Sequence, residues 1–161
     1  SRLSHPFTGG VKFIGDGPMR TKLEEYVVNN NLTGVIELLG TKPQTEVPSY
    51  MQQADVLILP SIYDGWGAVV NEALQAGCYV ICSDACGASD LLKSEKRLGR
   101  VFRRGDAGML ASCMEWCNDH IDEMRADRAF RTKWCEEHIN GKAVARYFVG
   151  RLTGDDSCRL W

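Results

Sequence analysis

The chain has no long apolar run, no dominant charge sign and few histidines, and each shortage removes a class of protein. No stretch approaches the roughly 20 apolar residues of a membrane-spanning helix, so no such helix is expected. Nineteen basic residues against 21 acidic ones leave a formal charge of −2. That balance gives no electrostatic case for nucleic acid or for an anionic membrane. The three histidines, His5, His120 and His138, form no recognisable catalytic set. There is no Walker loop, no zinc-protease helix and no Gly-x-Ser-x-Gly elbow. Gly15 and Gly17 are not followed by the third glycine of a dinucleotide fingerprint, because Arg20 stands there, so NAD is not inferred. No signal-peptide pattern is visible, and a cytoplasmic location is expected.

Cysteine is not scarce: there are seven. Without a secretory context they read as reduced thiols. Cys78, Cys82 and Cys86 flank or occupy one expected strand and read as small packing residues. Cys113, Cys117 and His120 are spaced to share a helix face, a pattern that suggests a metal. The stripe Ala107, Leu110, Ala111, Met114, Cys117 and Ile121 instead puts Cys117 in the core, so no metal is expected.

At 161 residues, with 44% hydrophobic and 25% charged residues, the chain reads as one globular domain with a sizeable core. That domain is expected to span residues 1–150, with a polar, loosely held tail over 151–161. Strands are expected at Val11–Ile14, Val35–Leu39, Val56–Leu59, Tyr79–Cys82 and Arg100–Phe102. Helices are expected from Pro18 to about Asn30, over Pro48–Gln53, from Ala68 to Gly77 and over Ser89–Leu92. Further helices are expected from Ala107 to about Asn118 behind an Asp106 cap, around Ala126, Phe130 and Trp134, and over Lys142–Val149. This alternation predicts an α/β fold: a Rossmann-like parallel sheet with helices on both faces. Ligands of such sheets bind at the C-terminal strand ends, where Asp16, Asp64 and Asp84 follow three strands and are expected to face one crevice.

Residues 60–77, PSIYDGWGAVVNEALQAG, carry the most chemistry. An apolar strand ends at Pro60-Ser61, Gly65 and Gly67 bracket Trp66, and a helix begins near Ala68. Exposed amides at a helix start attract anions such as phosphate. Asp64 precedes the helix and Glu72 lies in its second turn, with seven residues between them. An anion flanked by two acids that can bind hydroxyls is the chemistry of a nucleotide sugar. The plainer alternatives are a turn or capping aspartate, a solvated helix glutamate and an ordinary strand-to-helix turn. Val69, Val70, Ala73 and Leu74 surround Glu72 in sequence, so it is not expected to be exposed.

The segment resembles the C-terminal, donor-binding half of family 4 (group 1) glycosyltransferases, which have the GT-B fold. The resemblance rests on Pro60-Ser61, Asp64-Gly65-Trp66-Gly67, Glu72-Ala73 and Gly77-Cys78-Tyr79-Val80. It continues in Ile14-Gly15-Asp16-Gly17-Pro18, Ile36 to Gly40, Ala54-Asp55, Ser83-Asp84, Gly87 and Arg104 to Ala107. Asp64 stands where the family has glutamate, and Trp66 where it has phenylalanine. The family's first strand and helix, with their arginine and lysine for the diphosphate, are not recognisable. Ser1-Arg2-Leu3-Ser4 looks like the end of that strand, and His5 to Gly10 is too short to replace the helix.

The resemblance implies retaining transfer of a hexose from a UDP- or GDP-linked donor to a sugar or lipid-linked glycan, in polysaccharide or glycoconjugate synthesis. It implies Asp64 and Glu72 as the catalytic acids, Glu72 on the ribose and Asp64 on the transferred sugar. Donor contacts are implied from Gly15, Asp16, Gly17, Gly40, Gly65, Trp66, Gly67, Ala68 and Arg2, with no metal or other cofactor. Arg20 and Lys42 are further cations to weigh, each with a solvated surface role as its alternative. Implied partners are an N-terminal acceptor domain and a membrane surface touched peripherally through the full-length protein. Two other classes stay open here: a GT-B-type UDP-sugar epimerase, and a non-catalytic remnant that binds a nucleotide or a protein.

Overall fold

The computed structural model describes residues 9–154. Five strands and eight helices are found there: β1 (Val11–Ile14), α1 (Arg20–Asn29), β2 (Ile36–Gly40), α2 (Val47–Gln53), β3 (Val56–Leu59), α3 (Ala68–Gln75), β4 (Tyr79–Ser83), α4 (Ser89–Ser94), β5 (Gly99–Phe102), α5 (Ala107–Asp119), α6 (Ile121–Ala126), α7 (Arg128–His138) and α8 (Gly141–Thr153). All strand pairs are parallel, as the alternation of strands and helices requires.

β4 sits between β3 and β5 and is buried at every residue. Its side chains alternate between two apolar clusters, as the pleat dictates. Val80 and Cys82 join Val70, Leu74, Leu91 and Trp134 on the face covered by α3, α4 and α7. Tyr79 and Ile81 join Phe102, Cys113, Cys117 and Met124 on the face covered by α5 and α6. β3 follows the same alternation, with Leu57 and Leu59 against the first cluster and Val56 and Ile58 against the second.

The parallel sheet is divided among the described residues. β1 and β2 form one pair, and β3-β4-β5 form a separate three-stranded sheet. Phe13 and Ile14 of β1 stay 43% and 40% exposed, high values for apolar side chains on a parallel strand.

Two arginines lock α7 to the rest of the fold. Arg128 donates to the carbonyls of Met51, Gln52 and Ala54 at the end of α2, and to that of Ala76 at the end of α3. Arg131 is 1% exposed and donates to the carbonyls of Gly77, Arg97 and Met124. Cations at helix C-termini satisfy carbonyls that have no partner within the helix and oppose the helix dipole.

Three expectations change. The helix expected around Ala126 to Trp134 is two helices, α6 and α7, broken at Asp127. The boundary expected at Arg151 falls inside a helix, because α8 runs to Thr153 and stops at Gly154 in a left-handed conformation, and the rest of the expected tail, 155–161, lies outside the described residues. The helix expected from Pro18 begins at Arg20, after a turn.

Candidate functional site

The site is built where β3 ends and α3 begins. Pro60 to Gly67 leave the strand as a loop, and Gly67 at φ 82° is the N-cap of α3. Two features require glycine at Gly67. Its φ lies in the left-handed region that L-residues avoid, and an added Cβ would run into Cys86 Sγ. Gly87 is fixed by proximity alone, since a Cβ there would meet the Gly65 carbonyl oxygen.

The segment after β4 is the cradle that holds this loop. Ser83 Oγ donates to the Ser61 carbonyl at 2.5 Å. Asp64 N donates to Ala85 O at 3.1 Å, and Gly87 N to Asp64 O at 3.3 Å. Ala88 N donates to Trp66 O at 2.7 Å, and Cys86 Sγ lies 3.1 Å from that same oxygen. The turn is therefore pinned through its backbone. The first-turn amides of Ala68 and Val69 have no acceptor among the described residues. Such orphan N–H groups, with the positive end of the helix dipole, suit an anion.

The two acids differ in setting. Asp64 is half-buried, and its carboxylate engages no group among the described residues. Glu72 is exposed, against the expectation from its apolar neighbours. The reason is helical geometry: Val70, Ala73 and Leu74 cover the buried face, and Glu72 points from the opposite side. No described group pairs with its carboxylate either, so it remains an available hydrogen-bond acceptor.

A second cluster lies at the ends of β1 and β2. Gly15 N donates to Gly40 O at 2.9 Å, which joins the two strand ends. Asp16 Oδ1 accepts from Gly17 N at 2.8 Å, and its Oδ2 lies 3.4 Å from Arg20 Nη1. Arg20 also holds Glu24 at 2.8 Å. Lys42 lies over the Tyr50 ring, 5.8 Å from its centroid. Arg2, the other arginine weighed for a diphosphate, lies outside the described residues, as does His5.

Asp84 is not a free acid in a crevice. Its Oδ1 accepts from Arg104 N at 2.8 Å and shapes the turn into α5, where Asp106 caps Met109 N at 2.8 Å. His120 and His138 are ring-stacked on Trp116 and Trp134, with Nδ1 against the carbonyl of the same tryptophan. Cys113 and Cys117 lie in the buried cluster beneath α5. Burial pushes the Cys82, Cys117 and Cys135 thiols up to about 12, so they are protonated and poor nucleophiles at neutral pH. Sequence spacing does not reveal the cradle role of Ser83, Ala85 and Cys86. The one signal is Gly87, a glycine late in the loop between β4 and α4, where backbone packs on backbone.

Comparison with known proteins adds a family to this geometry. Residues 11–133 match the family described as glycosyl transferases, group 1. An uncharacterised glycosyltransferase of Methanocaldococcus jannaschii is 40% identical over 100 residues, 62% of this chain and 25% of the relative. The amylovoran biosynthesis glycosyltransferase AmsK of Erwinia amylovora is 29% identical over 107 residues, 63% of this chain and 26% of that protein. The chain thus spans about a quarter of the length of these curated relatives. Anabaena HepE, crystallised with UDP, superposes with a TM-score of 0.75 at 17% identity, over 92% of this chain and 42% of that one. Sucrose-phosphate synthase from Thermosynechococcus elongatus gives 0.72 at 24% identity, over 90% and 38%.

Proposed function

Because this chain belongs to the group 1 glycosyl transferases, we propose that it forms the donor-binding part of a retaining hexosyltransferase that uses a UDP- or GDP-sugar. The observation that carries this reading is the start of α3, where unpaired amides lie between two acids that have no other described partner. The diphosphate takes the Ala68 and Val69 amides. Glu72, exposed and unpaired, accepts the ribose hydroxyls. Asp64 and the Gly65-Trp66-Gly67 backbone hold the transferred sugar, with Gly15, Asp16, Gly17 and Gly40 lining the opposite strand ends.

The chemical problem is departure of a nucleotide diphosphate. Fixed amide dipoles that point at the leaving oxygens stabilise that charge without reorganising, and no metal is needed for it. The leaving diphosphate can accept the acceptor's proton, so a two-carboxylate glycosidase scheme is not invoked. HepE was crystallised with UDP and, in a further structure, with UDP-glucose, which supports a nucleotide-sugar donor. The amylovoran relative supports an acceptor in polysaccharide synthesis. No helix among the described residues is long and apolar enough to cross a membrane. A cytoplasmic location is part of the proposal, as the compartment that keeps thiols reduced; the six described cysteines are free.

Calorimetric titration with UDP, GDP and their hexose conjugates tests the reading. One nucleotide is expected to bind saturably, with affinity unchanged by a chelator. Glu72→Ala is expected to weaken it by about tenfold or more, the effect of losing hydrogen bonds to a charged acceptor. Equal affinity in the variant, or no binding by the folded chain, would refute the assignment. Donor and acceptor together are expected to give little or no transfer with these 161 residues alone. Robust turnover would show that the acceptor machinery is already present.

A further inference from the structure

A nucleotide held at the start of α3, with its ribose on Glu72, leaves its base outside α3 and without a partner. The neighbouring element on that side is α2. Arg128 donates to carbonyls at the C-terminal ends of both α2 and α3. Met51 of α2 also shares a buried cluster with Val70 and Leu74 of α3. The two helices therefore run side by side in one direction, and their starts open on the same side. The chain reaches α2 from the end of β2 at Gly40, and Gly15 N is bonded to Gly40 O at 2.9 Å. The Gly40 strand end and the Gly15-Asp16-Gly17 turn thus lie on the side where the nucleotide sits.

Arg20 is the first residue of α1, and its side chain folds back over this strand end. Its Nη1 lies 3.0 Å from where a Gly40 Cβ would stand, so the absence of a side chain at Gly40 lets the guanidinium lie against β2. Nε donates to Glu24 Oε1 at 2.8 Å, and Nη1 reaches Asp16 Oδ2 at 3.4 Å. Asp16 is itself held, because its Oδ1 accepts from Gly17 N at 2.8 Å. Two acids therefore grip the guanidinium along its edge. Nη2 has no partner among the described residues, and the side chain stays 37% exposed, open to a ligand.

These contacts decide what Arg20 can bind. One positive charge already faces two carboxylates, so a diphosphate brought to it would meet net negative charge. The flat face of the group is still available. A guanidinium is planar, delocalised and weakly hydrated, and it stacks on aromatic rings. Nucleobases stack on arginine planes in the same way. Holding the edge in place beforehand lowers the ordering cost of such a stack. Lys42, another cation near this strand end, lies over the Tyr50 ring, 5.8 Å from its centroid, and offers a point charge with no plane. We propose that Arg20 is the shelf on which the nucleobase of the donor stacks, an inference that rests on the donor reading of the α3 start.

Calorimetric titration of the 161-residue chain with UDP, GDP and ribose 5-diphosphate, which lacks a base, tests it. The nucleotide that binds is expected to do so about tenfold or more tighter than ribose 5-diphosphate, the size of one base stack. Arg20→Lys keeps the charge and removes the plane. It should cut affinity for the nucleotide by about tenfold and leave ribose 5-diphosphate unchanged. NMR of the nitrogen-labelled parent needs no variant: the nucleotide should shift the Arg20 Nε–H signal through the ring current of its base, and ribose 5-diphosphate should not. Equal loss of both ligands in Arg20→Lys would overturn the proposal, because Arg20 would then serve the phosphates. So would parent affinity for the nucleotide in Arg20→Lys, or an Nε–H signal that responds alike to both ligands. Those results would leave the donor reading standing. Binding of neither ligand by the folded parent would remove that reading and the shelf with it.

Discussion

Gly67→Ala is expected to destabilise the chain and abolish nucleotide binding together. Holding alanine at φ 82° costs about 1 kcal/mol. The new Cβ is also driven into Cys86 Sγ, and overpacking of this kind costs about 1–3 kcal/mol. The sum, about 2–4 kcal/mol, is a large share of a domain's stability. The cheapest relief moves the turn away from the cradle, which breaks the Trp66 O to Ala88 N bond and turns the Ala68 amide away. Urea unfolding measures the first effect and calorimetry the second. Cys86→Ala removes the obstructing sulfur and should return most of the overpacking term in the double variant, leaving the φ cost in place. Equal losses in Gly67→Ala with and without Cys86→Ala would show that the sulfur contact is not the cause.

Arg131→Lys is expected to cost nearly as much stability as Arg131→Met. Arg131 is the largest fully buried side chain among the described residues, and its partners are carbonyls of three separate segments. Among the described residues no carboxylate bonds to it directly. Burial lowers its pKa, and the nearby Asp127 carboxylate partly offsets this. A buried ion pair can often be replaced by apolar packing, but backbone carbonyls cannot be removed. Deleting the guanidinium leaves three acceptors short, each costing about 1 kcal/mol or more, for a total of about 3 kcal/mol. Lysine keeps the charge but offers one nitrogen where a planar fork is needed. A urea midpoint for Arg131→Lys within error of the parent would contradict the account, because charge alone would then suffice.

How far the sequence was legible follows from these residues. The β3–loop–α3 segment was readable because its signals are local: an aliphatic run, Pro60 and two glycines before an apolar helical stripe. Strand–helix alternation likewise gave the parallel class. The exposure of Glu72 was not readable from its neighbours, because an eight-residue helix buries only one face. Nor was buried Arg131, since a charged side chain in a polar helix reads as solvated until the carbonyls around it are known. α6 escaped because six residues carrying Asp122, Glu123 and Arg125 show little apolar periodicity. The division into two sheets is a matter of long-range pairing, which no local pattern encodes.

The central claim is that the start of α3 receives the nucleotide diphosphate. Titrating nitrogen-labelled chain with UDP and then GDP, with amide shifts followed by NMR, tests it most directly. The account predicts that one nucleotide moves the amides of Gly65, Gly67, Ala68, Val69 and Glu72 together along one saturable curve, with smaller movement at Gly15 and Gly17. Saturable shifts confined to other elements, with these amides still, would contradict it.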